Sequence, residues 1–333
     1  MLISRTPFRI SFFGGGTDYP DWYLKQGGAV LSTTIDKYCY LSCRYLPPFF
    51  NTRHRIVWSH IETVNSISEI LHPAVREGLR FLGFDDSIGI EIHHQGDLPA
   101  RSGMGSSSAF AAGLIKALMA LQGQMISKHD LALKAITLEQ EVLKDTVGSQ
   151  DQVAVAYGGF NVIHFQRNGD IQVEPVTVPQ SRLMELESRL MLCYTGMSRF
   201  SSEIASKVIA NLDAKQTVLH QMHQMVDTAL KILNGQEDLD GFGRLLHQAW
   251  MLKRELSQVI TNSRIDEIYK TAISHGALGG KLLGAGSAGF MVFYVPPDKQ
   301  ATVQQALSQL LWVPFGFDRE GSTIIYYEES VRS

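Results

Sequence analysis

Pro99, Arg101, Ser102, Gly103, Met104, Gly105, Ser106, Ser107 and Ser108 form one short stretch that concentrates small residues, hydroxyls and a cation. Gly103 and Gly105 let backbone N–H groups come close to a ligand. A helix starting beside them adds unpaired donors and the positive end of a dipole. Chemistry of this kind holds phosphate. The flanks supply the setting it needs. Ile88 to His94 alternates apolar and polar residues, as a half-buried strand does, and Ser108 to Leu121 is rich in Ala, Leu, Ile and Met without proline, as a buried helix is. No Gly-x-x-x-x-Gly-Lys-Ser/Thr spacing occurs in the chain, so the loop is not a Walker A motif.

A second glycine string, Gly284 to Gly289, fits the dinucleotide-binding pattern Gly-x-Gly-x-x-Gly. That pattern requires a helix after it. Here Phe290 to Val295 and two prolines follow, which is a strand with a stop, and the dinucleotide reading fails on context. Near the N-terminus, Arg9 interrupts an apolar strand (Ile3 to Phe13) that ends in Gly14, Gly15, Gly16, Thr17 and Asp18. An arginine and an aspartate around a triple glycine are poor material for a core and good material for a site. Arg199, among the hydroxyls of Thr195 to Ser202 at a strand-to-helix turn, suits an anion. Arg53 and Arg55 are second choices for that role. His93-His94 and His220-x-x-His223 come with no His-Glu-x-x-His or cysteine partner, so no zinc is assigned.

The elements that must position these residues alternate strand and helix. Ala29 to Tyr45 reads as a pair of strands around Asp36-Lys37, and Pro47 to His60 as a loop or hairpin. Glu69 to Leu82 and Lys128 to Lys144 read as helices, and Ala154 to His164 as sheet. After a polar connection come a strand at Arg189–Tyr194, helices near 201–234, 239–260 and 265–275, the strand Phe290–Val295, a helix to Leu310 and closing strands to Tyr327. With 333 residues, 44% hydrophobic and 19% charged, the chain has material for one large or two medium domains. A net charge of −3 argues against nucleic acid and anionic membrane as partners. Three cysteines without zinc or disulfide spacing, no leader-like start and no long apolar run point to a cytoplasmic protein. A monomer or homodimer is expected.

Three segments, in this order, resemble the GHMP kinase superfamily: Thr6 to Tyr19, the loop at Pro99 to Ala109, and Gly280 to Gly289. Arg-Thr-Pro-Phe-Arg with Gly-Gly-Gly-Thr-Asp, and Gly-Ser-Gln-Asp-Gln at 148–152, are most similar to its heptose 7-phosphate kinases. Met104 stands where the family has leucine, and Ser108 is an extra serine. The resemblance implies an α+β fold of two domains. Residues 1–175 would resemble the second domain of ribosomal protein S5, and 176–333 would be ferredoxin-like, with ATP and substrate meeting between them.

The resemblance also implies roles. Asp151 would be the base and Arg9 the catalytic cation beside it. Asp18, with Gly14, Gly15, Gly16 and Thr17, would bind the sugar, as would Arg199, Gly284 and Gly286. Gly15 and Gly16 replace the Glu-His pair of galactokinases, which argues against galactose. Ser107 would ligate Mg²⁺ together with Glu141, or with Glu139 if the helical register differs. The implied reaction is ATP- and Mg²⁺-dependent phosphorylation of D-glycero-D-manno-heptose 7-phosphate at its anomeric hydroxyl. Open alternatives are a kinase of a free sugar (fucose, arabinose, galactose or an octose) and a non-kinase regulator or decarboxylase of the same fold.

Overall fold

The computed structural model describes residues 1–196, 201–235 and 238–329. Its frame is a long antiparallel pair, β1 (Leu2–Phe13) and β2 (Gly28–Tyr45), joined through the short helix α1 (Pro20–Gln26). β3 (His54–Val57) and β4 (Ile61–Val64) make a hairpin, and α2 (Pro73–Phe81) leads to β5 (Ile90–Gly96). The phosphate-loop candidate then runs into α3 (Ser106–Leu121), which lies against β1 and β2 with most of its side chains buried. Next come α4 (Lys128–Ile136), a π-helical stretch at Thr137–Val142, α5 (Gln150–Tyr157), β6 (Phe160–Phe165) and β7 (Ile171–Pro175).

The second half contains α6 (Gln180–Ser188), β8 (Leu190–Tyr194), α7 (Ser201–Ile209), α8 (Gln216–Asn234), α9 (Asp240–Leu256) and α10 (Ser263–Ser274). β9 (Gly279–Leu282), β10 (Phe290–Tyr294), α11 (Pro297–Ala306), β11 (Leu311–Val313), β12 (Phe317–Asp318) and β13 (Thr323–Tyr327) complete it. β8 to β11 form an antiparallel sheet in the order β11-β8-β10-β9. With helices between β8 and β9 and between β10 and β11, this is the ferredoxin-like arrangement. The other strands form a nine-stranded sheet along the path β13-β1-β2-β5-β3-β4, with β12 and β6 also on β2.

Four expectations are corrected. Residues 29–45 make one strand, not two: Pro7 faces Tyr38 while Phe8 faces Ile35, so Asp36 and Lys37 are accommodated as a bulge. Ala154 to Tyr157 is helix and not sheet, because a short continuous apolar run fits a buried helix as well as a strand. The helix expected to run to Lys144 widens at Thr137, where Leu143 N–H bonds back to the carbonyl of Leu138. Finally, a second unit running to residue 333 cuts through paired strands. The chain returns to the first sheet, where β12 pairs with β2 and β13 covers the open edge of β1.

Candidate functional site

The loop after β5 is shaped by two left-handed glycines, Gly103 (φ 80°) and Gly105 (φ 73°). A side chain on Gly103 would meet the Leu283 carbonyl at 2.5 Å, and one on Gly105 would meet Arg9 Cγ at 3.1 Å and Asp151 Oδ2 at 3.5 Å. Gly105 caps α3, so the helix's first N–H groups open beside that pair. Met104 is buried, and its carbonyl accepts from the Arg9 backbone N–H (3.0 Å). Ser106 Oγ accepts from Arg101 N–H (3.1 Å), and Arg101 itself holds a left-handed turn (φ 59°). Pro99 is exposed at the mouth of the loop, while Ser102 is buried with its hydroxyl unpartnered.

Arg9 extends from β1 and Asp151 from the first turn of α5. Two parallel bonds of 2.7 Å join Arg9 Nε and Nη2 to the two carboxylate oxygens. The third arm, Nη1, donates to the Gly103 carbonyl at 2.7 Å. Arg9 is 3% exposed, whereas the Asp151 side chain keeps 22% of its surface. The cation is therefore fixed and the carboxylate is reachable. Forked geometry of this kind binds strongly and sets orientation.

Asp18 is buried beside them, with Oδ1 accepting from Gly16 N–H (2.8 Å) and Oδ2 from Gln150 Nε2 (3.0 Å). Burial raises its carboxyl above the usual range, the Asp151 charge adds to this, and the Gly16 N–H opposes it. A side chain at Gly148 would fall 2.0 Å from Asp18 Oδ2, so the Gly-Ser-Gln-Asp-Gln string begins with glycine for want of room.

Two lysines arrive from the second half, and neither was foreseen. Lys253 on α9 donates to the carbonyls of Leu282 (2.9 Å) and Gly284 (2.5 Å), and Lys281 on β9 donates to that of Phe12 (2.8 Å). Burial, with the Arg9 charge, brings Lys253 down to about 7. Burial, with the charges of Lys253 and Arg9, lowers Lys281 far below the usual lysine range. Arg9 and two lysines held toward their neutral form thus lie near Asp18 and Asp151. An anion bound here would favour the charged form of both lysines and be stabilised by it in turn. The one available signal was Lys281 amid small and apolar residues, the same anomaly that marked Arg9.

The carboxylate beside Ser107 is Glu139 and not Glu141. Glu139 is fully buried and accepts from Ser107 Oγ, from Ser108 Oγ (2.6 Å) and from Gln152 Nε2 (2.6 Å), while Glu141 is exposed. Glu139 lies on the buried face of this segment with Leu131, Ala132, Ala135 and Leu138, at ordinary helical spacing, whereas Glu141 falls on the opposite face. Burial lifts Glu139 to about 7 against the pull of its three donors.

Thr17 does not face the cleft. Its buried hydroxyl bonds the carbonyls of Gly14 (2.7 Å) and Ala29 (3.1 Å), which closes the glycine turn. Gly284 and Gly286 are likewise braces. A side chain on Gly284 would meet Gly103 Cα at 2.5 Å, and one on Gly286 the Ile260 carbonyl at 2.8 Å. Arg53 and Arg55 are engaged on the β3 side, Arg53 with the carbonyls of Asp86 and Ser87 and Arg55 with Glu91. Arg199 lies outside the described residues. No group of three or more His, Cys, Asp or Glu able to hold a metal occurs among the described residues. No described helix is long and apolar enough to cross a membrane.

Residues 67–159 match the GHMP kinases N terminal domain, and residues 228–311 the GHMP kinases C terminal domain. The chain is 30% identical to D-glycero-alpha-D-manno-heptose 7-phosphate kinase of Campylobacter jejuni, over 96% of its own length and 97% of the relative's. It is 25% identical to the galactokinase of Pyrococcus furiosus, with 92% of each chain covered. The crystal structure of a D-glycero-D-manno-heptose 1-phosphate kinase from Bacteroides thetaiotaomicron superposes with a TM-score of 0.80 at 25% identity, covering 99% of this chain and 100% of that one. Both domain matches and a relative similar along the whole length lead to one assignment: the chain belongs to the GHMP kinase family, as a sugar kinase, a phosphotransferase with an alcohol group as acceptor.

Proposed function

We propose that the protein transfers the γ-phosphoryl group of ATP to the anomeric hydroxyl of D-glycero-D-manno-heptose 7-phosphate, giving the 1,7-bisphosphate. The observation that carries the reading is the forked Arg9–Asp151 pair, held under Gly105 and beside Asp18. An acceptor hydroxyl resting on Asp18 and directed at Asp151 loses its proton to that carboxylate as the phosphoryl group transfers. Arg9 orients the carboxylate and, with Lys253, offsets the charge that builds on the transferring group. The loop from Ser102 to Ser108 cradles the phosphates of ATP. The rings of Trp58, His72 and Phe110 pack on one another, with centroids 4.7–4.9 Å apart; Phe110 is buried on α3, and the half-buried Trp58 is the ring with surface left for the base.

Mg²⁺ fits the donors present, since a serine hydroxyl and a carboxylate are hard oxygen ligands and the ion ordinarily takes few of them from protein. Ser107 and Glu139 would hold it. When bound it supplies positive charge to the phosphate oxygens of ATP. The pair, the loop and the buried Asp18 are all intact, which disfavours a non-kinase regulator. Three buried free thiols accord with a reducing, cytoplasmic setting.

The test is turnover with MgATP on D-glycero-D-manno-heptose 7-phosphate, free heptose, fucose and galactose, with the product's new phosphate located by NMR. Preference for the 7-phosphate and phosphate at C1 is the expected result. Faster turnover of a free sugar moves the assignment to a free-sugar kinase.

A further inference from the structure

The glycines of the Gly14-Gly15-Gly16 turn are glycine for different reasons. Gly14 (φ 80°) and Gly16 (φ 102°) hold left-handed conformations, and a side chain on Gly14 would run into the Ala29 carbonyl at 1.9 Å. Gly15 has neither constraint. Its backbone is of a kind any residue adopts, and a methyl group there would find nothing nearer than Gln150 Nε2 and Ser11 Oγ, each at 3.7 Å. The missing side chain therefore leaves a methyl-sized gap, and the two atoms bordering it are polar.

One atom bordering the gap lacks a partner, and so does the other end of the amide that borders it. Ser11 is 5% exposed and its Oγ has no hydrogen bond. The same holds for Gln150 Oε1. The amide's orientation is fixed, because Nε2 donates to Asp18 Oδ2 and a carboxylate only accepts. Gln150 thus presents an acceptor, and Ser11 a group that donates or accepts. Ser11 follows Arg9 by two residues along β1 and shares its face. Buried polar atoms are almost always paired, and leaving one unpaired is unfavourable. An orphan hydroxyl at the gap, and an orphan carbonyl on the amide that borders it beside Asp18, are thus matched to a ligand.

We propose that Ser11, Gln150 and the empty side-chain position of Gly15 form a subsite that reads a hydroxyl of the acceptor next to the one held by Asp18. The occupant is a polyhydroxylated acceptor, and its hydroxyl donates to Gln150 Oε1 while accepting from Ser11 Oγ. The inference rests on the sugar-kinase reading and adds specificity-determining residues to it.

The experiment compares Ser11→Ala and Gly15→Ala with wild type, on whichever acceptor the wild type phosphorylates best, and on a series of its monodeoxy analogues. Expected in Ser11→Ala is a 10- to 100-fold loss in kcat/KM for the acceptor, with KM for ATP and melting temperature unchanged. One deoxy analogue that costs wild type the same factor should cost Ser11→Ala nothing further, which identifies the hydroxyl. Gly15→Ala should weaken the acceptor and leave ATP alone. Unchanged acceptor kinetics in Ser11→Ala overturns the proposal, as does an undiminished deoxy penalty in that variant. Because the wild type selects the acceptor, a wrong choice of sugar shows in its own turnover, apart from these ratios. Should Gly15→Ala fail to fold, the Ser11→Ala arm decides alone.

Discussion

Two glycine-rich loops meet at this site, and they do opposite things. Ser102 to Ser108 opens into a helix and presents donors, whereas Gly284 to Gly289 opens into the strand β10 and presents its backbone to the first loop. Gly284 lies against Gly103, and Gly289 against the Ser102 carbonyl. The Phe290 N–H bonds that same carbonyl at 3.0 Å. Two strings that share Gly-x-Gly-Ser thus become, on the proposed reading, a ligand cradle and the buttress behind it. What separates them is the element that follows.

The sharpest way to break that contrast is at the pair under the first loop. Asp151→Asn is expected to lower kcat by roughly 10²–10⁴, the usual contribution of a positioned base, with ATP binding retained. Near wild-type turnover would end its assignment as the base. Next in size, Gly284→Ala should cost about 2–4 kcal/mol of stability, since it adds a left-handed strain to a clash. Thermal melting together with KM for ATP reads this. A variant as stable as wild type, with ATP affinity alone impaired, makes the second loop a ligand loop after all.

The smallest effect sharpens the metal side of the first loop. Burial holds Glu139 at about 7, above its ordinary 4.5, so over that interval the folded protein keeps a proton that the unfolded chain releases. Stability without metal or nucleotide is then highest below about 4.5 and declines as pH rises through about 7. Glu139→Gln removes this decline and should stabilise the ligand-free protein at pH 8 by up to about 3 kcal/mol. Gln152, whose Oε1 is unpaired, can turn over to accept from the new amide. The same variant should need far more Mg²⁺ for half-maximal rate. Denaturation curves at pH 5 and pH 8 with a Mg²⁺ titration check both halves, and an unchanged Mg²⁺ requirement removes Glu139 from the metal's ligands.

The local part of the site was legible in the sequence and the long-range part was not. Arg9, Gly103 to Ser107, Asp18 and the Gly148–Gln152 string each stand out against their neighbours, and the structure brings them together. Lys253 sits in an ordinary polar helix, and only the packing of α9 on β9 carries it to the cleft. Glu139 and Glu141 lie on opposite faces of their helix, and the apolar face of Leu131, Ala132, Ala135 and Leu138, which selects Glu139, was there to be read. The bulge at Asp36-Lys37 looked like a turn because two polar residues between apolar runs serve either purpose.

The return of β12 and β13 to the first sheet bears on how the polypeptide is made. β1 is made long before the strand that covers its outer edge, Thr323 to Tyr327, and Arg5 reaches Glu320 across 315 positions. Until those strands are translated, β1 carries an open hydrogen-bonding edge. The sheet beside the phosphate-loop candidate therefore closes only once Thr323 to Tyr327 has been made, a non-local pairing of the kind that slows folding and leaves an edge open to association meanwhile.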